Sequence, residues 1–358
     1  MMAPLTVPNF RRPSDHPAGG APGSAPLGSV RCSVVDQNLA AQLELDGLSN
    51  EEYVDSLYRL ALRRPPEDAA RSRAVSSLGC GTLSRATLLA ELVDAAEFAR
   101  VRTLDDAVAF AAWARAAGER PRELRAPVGD ERPIEIPWAL GRLRQENRLL
   151  DVGTTFAEPA YVSALLALGR PGLVGLDLAP GEIPGLRLVR GDVRVLPFPD
   201  ESFDAAICIS TLEHVGADTS VYGVDQARDA GGMERALREL RRVLARNGRL
   251  LVTVPTGAAE DHGSFVQLPP AEWLSLFRRA DLLVFEREIY ALGADGWQQA
   301  SPDEVAGRRY GGPGPAAAAI LCAELRPRAL GETIRETARA IKRNLFTRRA
   351  RWGSTHRA

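Results

Sequence analysis

Between Arg148 and Pro199 the chain reads strand, tight turn, helix, strand, strand, and each strand runs into a glycine or an acid. Leu149-Leu150-Asp151-Val152-Gly153 is a short apolar run that stops at a glycine, and Ala157 to Leu168 then spaces its apolar residues for a helix. Leu173-Val174-Gly175-Leu176-Asp177 is a second apolar strand closed by a carboxylate, and a third ends at Gly191-Asp192. In an open parallel sheet, ligands sit beyond the carboxyl ends of the strands. Gly153, Asp177 and Asp192 are therefore expected to converge on one crevice.

The alternation continues downstream. Phe203–Ser210 reads as a strand, Met233–Ala245 as an amphipathic helix stopped by Asn247-Gly248, and Arg249–Pro255 as the next strand. Pro269–Arg279 follows as a helix, Leu282–Tyr290 as a strand and Ala316–Leu325 as a last strand. Such a pattern gives an α/β sheet with helices on both faces.

Upstream the pattern changes. Residues 1–30 are rich in Pro, Gly, Ala and Ser and are expected to form a flexible leader, because so few large apolar groups cannot offset the entropy of ordering. Residues 31–118 are helical in pattern: Ser49-Asn50-Glu51-Glu52 fits a capping box, with Tyr53, Leu57, Leu60 and Leu62 as the buried stripe. Arg63-Arg64-Pro65-Pro66 ends one helix, and Ser84 suits the cap of another whose apolar face is Leu88, Leu89, Leu92 and Phe98. The Pro- and Arg-rich residues 119–147 read as a linker, in which Trp138 is expected to be a packing anchor.

Composition excludes several classes. A net charge of -1 and an isoelectric point near 6.5 argue against a nucleic-acid coat. The four cysteines, Cys32, Cys80, Cys208 and Cys322, lack the spacing of a zinc site or a disulfide framework. The N-terminus lacks a charged segment followed by an apolar core, and no apolar run reaches membrane-spanning length, so the cytoplasm is the expected compartment. Residues 326–358 carry many arginines, with Ile334, Ala338, Ile341 and Leu345 at helical spacing. They suggest either a basic helix in peripheral contact with an anionic membrane or one docked on the protein by its apolar stripe.

Leu150-Asp151-Val152-Gly153, Gly175-Leu176-Asp177, Gly191-Asp192-Val193, Leu196–Asp204, Ser210-Thr211-Leu212-Glu213-His214-Val215 and Leu240–Leu250 together resemble, in order, the motifs of a class I S-adenosylmethionine-dependent methyltransferase. The resemblance covers residues 148–325. It implies a seven-stranded, doubly wound, Rossmann-like sheet preceded by a small all-α domain, with Ala316–Leu325 as the inserted antiparallel strand. It also implies S-adenosyl-L-methionine as cofactor, bound by Asp151, Gly153, Thr154, Thr155, Asp177, Asp192, Val193 and Ser210. In that assignment Asp177 accepts the ribose hydroxyls, and Asp192 accepts from the adenine amino group with the Val193 backbone facing the ring.

The first turn departs from the family's Asp-x-Gly-x-Gly-x-Gly, because Thr155 and Ala157 replace the second and third glycines. Gly153 still permits the turn, and the hydroxyl of Thr154 or Thr155 is expected to bond the methionine carboxylate. The same departure argues against a nicotinamide cofactor, since Glu158 would repel a pyrophosphate at the following helix. His214 and His262 are the candidates for a general base. Adjacent acid and histidine side chains rarely reach one ion, so no metal site is expected.

The segment from Leu48 to Phe98 resembles a helical domain of unknown function that often accompanies glycan-processing enzymes. This company implies a sugar hydroxyl of a glycan or glycolipid precursor as the methyl acceptor. A small-molecule natural product as acceptor, and a non-catalytic scaffold with a degenerate cofactor site, are the alternatives.

Overall fold

The computed structural model describes residues 45, 47–224, 227–311 and 316–328, all within one compact unit. The expected leader at 1–30 and almost all of the basic segment at 326–358 lie outside the described residues. No helix among the described residues is long and apolar enough to cross a membrane.

The first helix among the described residues, α1 (Asn50–Leu62), starts with the expected capping box, in which Ser49 and Glu52 satisfy each other's backbone N–H groups. Tyr53, Val54, Leu57, Ala61 and Leu62 form its buried face, and Leu60 turns to solvent at 39% exposure. Helical spacing explains the exchange: Ala61, four residues after Leu57, takes the inward position assigned to Leu60. After α2 (Asp68–Gly79), Ser84 caps α3 (Arg85–Val93), which closes the module's core with Leu88, Leu89 and Leu92. Helix α4 (Ala96–Ala116) then carries Leu104 and Ala111 out of this module and into the core beneath the sheet.

Residues 119–147, expected as a linker, hold a helix. This α5 (Arg132–Leu140) is buried at every residue except Arg132, and Trp138 is wholly enclosed in the same core. The segment is fixed to the sheet by Arg142, which donates to Glu288 at 2.7 Å and lies 4.1 Å over the Trp138 ring.

The sheet contains β1 (Arg148–Val152), β2 (Gly172–Asp177), β3 (Arg187–Arg190), β4 (Phe203–Ile209) and β5 (Leu244–Pro255), all parallel where they pair. A small hairpin, β6 (Glu260–Asp261) with β7 (Val266–Gln267), separates these from β8 (Leu282–Gly293), β9 (Gly296–Gln299) and β10 (Ala319–Pro327). The order is β3-β2-β1-β4-β5-β10-β8-β9, with β10 antiparallel to both neighbours, the place expected for the inserted last strand.

The sheet has eight strands rather than seven. The extra β9 arises because Ala294 and Asp295 turn the chain back between two glycines, and Trp297 then pairs with Ala126. A second difference concerns Asn247-Gly248. The helix α7 (Gly232–Val243) ends before them, and they occupy a register shift at the start of β5.

Alternation along the strands sends neighbouring residues to opposite faces. Leu150, Ala206 and Val252 pack under α7 and α8 (Pro270–Arg279), and Leu149, Ala205 and Leu251 pack under α5 and α6 (Pro159–Ala167). The pairing Val152↔Leu176 and Val152↔Cys208 levels the carboxyl ends of β1, β2 and β4, so the turns after these strands open at one height.

Candidate active site

A cavity of about 380 Å³ lies at these strand ends. Asp151, Gly153, Asp177, Asp192, Val193, Ser210 and His214 line it, whereas Thr154, Thr155 and His262 do not. Gly153 has φ of +86°, and a Cβ there would collide with the Thr211 hydroxyl brought in by the turn after β4. A side chain at this position would therefore be strained twice over.

Asp177 ties the first two strand ends together. Its carboxylate accepts the Thr155 N–H at 2.8 Å and the Ala179 N–H at 3.0 Å. A carboxylate offers about four acceptor positions, so two remain for a ligand. Asp192 is more heavily engaged. It accepts the Arg194 N–H at 2.8 Å and the Arg194 guanidinium, which also reaches Asp229 at 2.9 Å, so an adenine amino group would share this carboxylate with an arginine.

Asp151 is 2% exposed, takes the Tyr161 hydroxyl on Oδ1, and leaves Oδ2 buried without a partner. Burial dominates the Tyr161 bond and raises its pKa to about 6. An orphaned buried carboxylate oxygen in a cavity wall is costly unless a cation or donor completes it.

The two threonines differ from expectation. Thr154 donates to the Asp151 carbonyl at 3.0 Å and is wholly buried beside Gly175, and Thr155 packs its side chain against Gly181. Neither hydroxyl faces the cavity, because the left-handed Gly153 turns the following residues back toward β2. The cavity therefore stays open despite the missing glycines.

Ser210 and His214 close the end beyond β4. Ser210 is held at φ +40°, a conformation sparsely populated by residues other than glycine, and donates to Glu135 Oε1 at 2.8 Å. His214 Nδ1 lies 2.8 Å from the Ser264 carbonyl, which only accepts, so Nδ1 carries the proton and Nε2 presents its lone pair. Burial lowers the His214 pKa below its usual value, and the ring is neutral at pH 7. Tyr222, tilted against the 62%-exposed Phe156 at 5.4 Å, sets its hydroxyl beside both ring nitrogens, 3.2 Å from Nδ1 and 3.4 Å from Nε2. His262 lies in a layer behind, stacked at 4.5 Å on Phe265, which itself stands 5.6 Å from the His214 ring.

Sequence reasoning missed a buried charged cluster beside Ser210. Arg132, from the start of α5, lines the cavity, with Glu131, Glu135 and Glu213 buried around it. Burial, reinforced by Glu135, raises the Glu131 pKa to about 7, and burial likewise pushes Glu213 well up. An acid between two isoleucines, Ile134-Glu135-Ile136, is the one sequence signal that could have marked this cluster.

The mixed sheet with its inserted antiparallel strand, and an acid-lined crevice at the parallel strand ends, define a Rossmann-like fold of the methyltransferase class. Residues 150–252 match the family described as Methyltransferase domain, and residues 37–101 match a Domain of unknown function (DUF4214). The Demethylmenaquinone methyltransferase of Thermus thermophilus is 35% identical over 117 residues, 30% of this chain and 46% of that protein. A protein of Encephalitozoon cuniculi described as a methyltransferase is 33% identical over 101 residues, 26% of this chain and 42% of that one. The chain thus spans less than half the length of these curated relatives.

Among solved structures, the 1,6-didemethyltoxoflavin-N1-methyltransferase of Burkholderia thailandensis, with 1,6-didemethyltoxoflavin and S-adenosylhomocysteine bound, aligns at 15% identity and a TM-score of 0.37. That alignment covers 72% of this chain and 87% of that one. The segment that carries most of the crevice, residues 150–252, is thus similar to a methyltransferase domain.

Proposed function

We propose that the whole chain is an S-adenosylmethionine-dependent methyltransferase that O-methylates a sugar hydroxyl of a glycan or glycolipid precursor. One observation carries the reading: a neutral histidine, its tautomer fixed by Ser264, stands in the same crevice as the carboxylates of Asp177 and Asp151. The open acceptor positions on Asp177, the orphaned Asp151 Oδ2 and a cavity in the small-molecule size range fit a nucleoside with a cationic tail. Bound there, S-adenosylmethionine supplies an electrophilic methyl group on a sulfonium.

The chain's own residues do the rest. Asp177 accepts ribose hydroxyl hydrogens, and Asp151 accepts an ammonium hydrogen. His214 Nε2 takes the proton of the acceptor hydroxyl as its oxygen becomes the nucleophile, a contribution of about 10²–10⁴-fold. The exposed Phe156 ring, with the half-buried Tyr222 tilted against it at the cavity wall, offers an apolar platform that suits one face of a sugar ring. The company implied by the helical segment points to the same acceptor class. Thr155, turned away from the cavity, leaves room for the cofactor and speaks against a degenerate scaffold.

Calorimetric titration with S-adenosylhomocysteine tests the cofactor half: micromolar binding, weakened at least roughly 100-fold by Asp177→Ala, is expected from the loss of two charged hydrogen bonds. No heat at millimolar ligand would overturn it. Transfer of labelled methyl from S-adenosylmethionine to a panel of sugar acceptors tests the other half, and transfer confined to non-sugar acceptors would replace it.

A further inference from the structure

Arg132 precedes the matched segment at 150–252, yet its side chain forms part of the cavity wall. Its Nη1 donates to Glu135 Oε2 at 2.8 Å and its backbone N–H to Asp130 Oδ1 at 3.2 Å. Glu135 accepts the Ser210 hydroxyl on its other oxygen at 2.8 Å, so one carboxylate braces the guanidinium against the end of β4. Nε and Nη2 make no hydrogen bond to any described residue, and the side chain keeps 30% exposure on a helix otherwise buried. Burial opposes the charge on Arg132, but Glu135, Glu131, Glu213 and Asp130 outweigh it and hold the guanidinium protonated. A rigid cation thus presents unused donors to the cavity in which Asp151 Oδ2 is an unused acceptor. An open guanidinium and an open carboxylate oxygen together complement a zwitterionic amino acid.

Resting on the cofactor reading above, we infer that Arg132 is a binding residue for the α-carboxylate of the cofactor's methionine moiety, the role expected from sequence of Thr154 or Thr155. Glu135 is its positioning residue. The adenosine half of the ligand needs neither group, which makes the inference separable from that reading.

The test uses the full chain and three thioethers: S-adenosylhomocysteine, its decarboxylated analogue S-adenosyl-3-thiopropylamine, and 5′-methylthioadenosine. Calorimetry on the unsubstituted protein should show S-adenosylhomocysteine binding about 10- to 100-fold tighter than the decarboxylated analogue, the usual range for a charge-assisted pair. Arg132→Gln should remove most of that preference and leave the other two affinities within about threefold, with Arg132→Lys intermediate. Equal weakening of all three ligands by Arg132→Gln would assign the residue a structural role and overturn the inference. Undiminished preference for S-adenosylhomocysteine would also overturn it and leave the guanidinium to a carboxylate on the acceptor. If none of the three binds the unsubstituted protein, the cofactor reading fails first and the inference with it.

Discussion

The helical module and the sheet that follows it have different interiors. The module's core is Tyr53, Val54, Leu57, Leu62, Leu88, Leu89 and their apolar neighbours, and its ion pairs, such as Arg64 with Glu97 and Arg71 with Asp55, stand at the surface. Among the described residues, thirteen polar or charged side chains are buried, and every one lies at or after Glu131. Burying a charge costs free energy unless partners compensate it. The module has a conventional packed core, whereas the sheet region holds Asp151, Glu131 and Glu213 against that cost around one cavity. Costly groups gathered at a crevice mark where ligand chemistry resides.

That contrast can be broken experimentally. His214→Gln is expected to lower the methyl-transfer rate by about 10²–10⁴-fold, with S-adenosylhomocysteine affinity unchanged within about twofold. A rate within threefold of the unsubstituted protein would remove His214 from the chemistry. Leu57→Ala, in the module, is expected to cost about 2–5 kcal/mol of unfolding free energy through the cavity it leaves, read by denaturant titration. The same variant should bind S-adenosylhomocysteine normally, and a large loss of affinity would show that the module shares the site's energetics.

Two smaller effects follow from charge. Asp151 titrates at about 6 and must be ionised to hold an ammonium. S-adenosylhomocysteine affinity should therefore be flat above about pH 7 and fall by up to about tenfold per unit below 6. Asp151→Asn should bind more weakly and lose that slope, and an unchanged slope would place the titrating group elsewhere. The acid limb of the methyl-transfer rate at saturating cofactor is a separate effect. His214 must be neutral to accept a proton, so the rate should rise with pH through a value below 6.5 and then stay level. Smallest of all, Ser49→Ala removes a helix cap and should cost about 1 kcal/mol without touching ligand affinity.

The parallel strands and their acid or glycine ends were legible because burial on both faces produces continuous apolar runs that stop abruptly, as at Val152-Gly153 and Leu176-Asp177. Cap chemistry made Ser49 and Ser84 equally plain. The Arg132 cluster was not legible. Asp130-Glu131-Arg132 among prolines has the composition of a solvated turn, and only the packing of α4 and β4 around α5 buries it. The direction of the Thr154 and Thr155 side chains was not legible for a related reason: which way a side chain points after a left-handed turn depends on backbone angles that residue type does not specify. Leu60 and Ala61 show the same limit on a helix, where a shift of one residue exchanges inside for outside.

Helix α4 has a practical consequence. Its first turns hold Arg100 between Asp130 and the cavity-lining Glu158, while Leu104 and Ala111 join the core it shares with α5 and α6. A truncation at residue 118 would strip that layer from the faces of α5 and α6 that carry Ile134 and Tyr161, so a fragment meant to keep the ligand site is expected to need α4 from Ala96 onward.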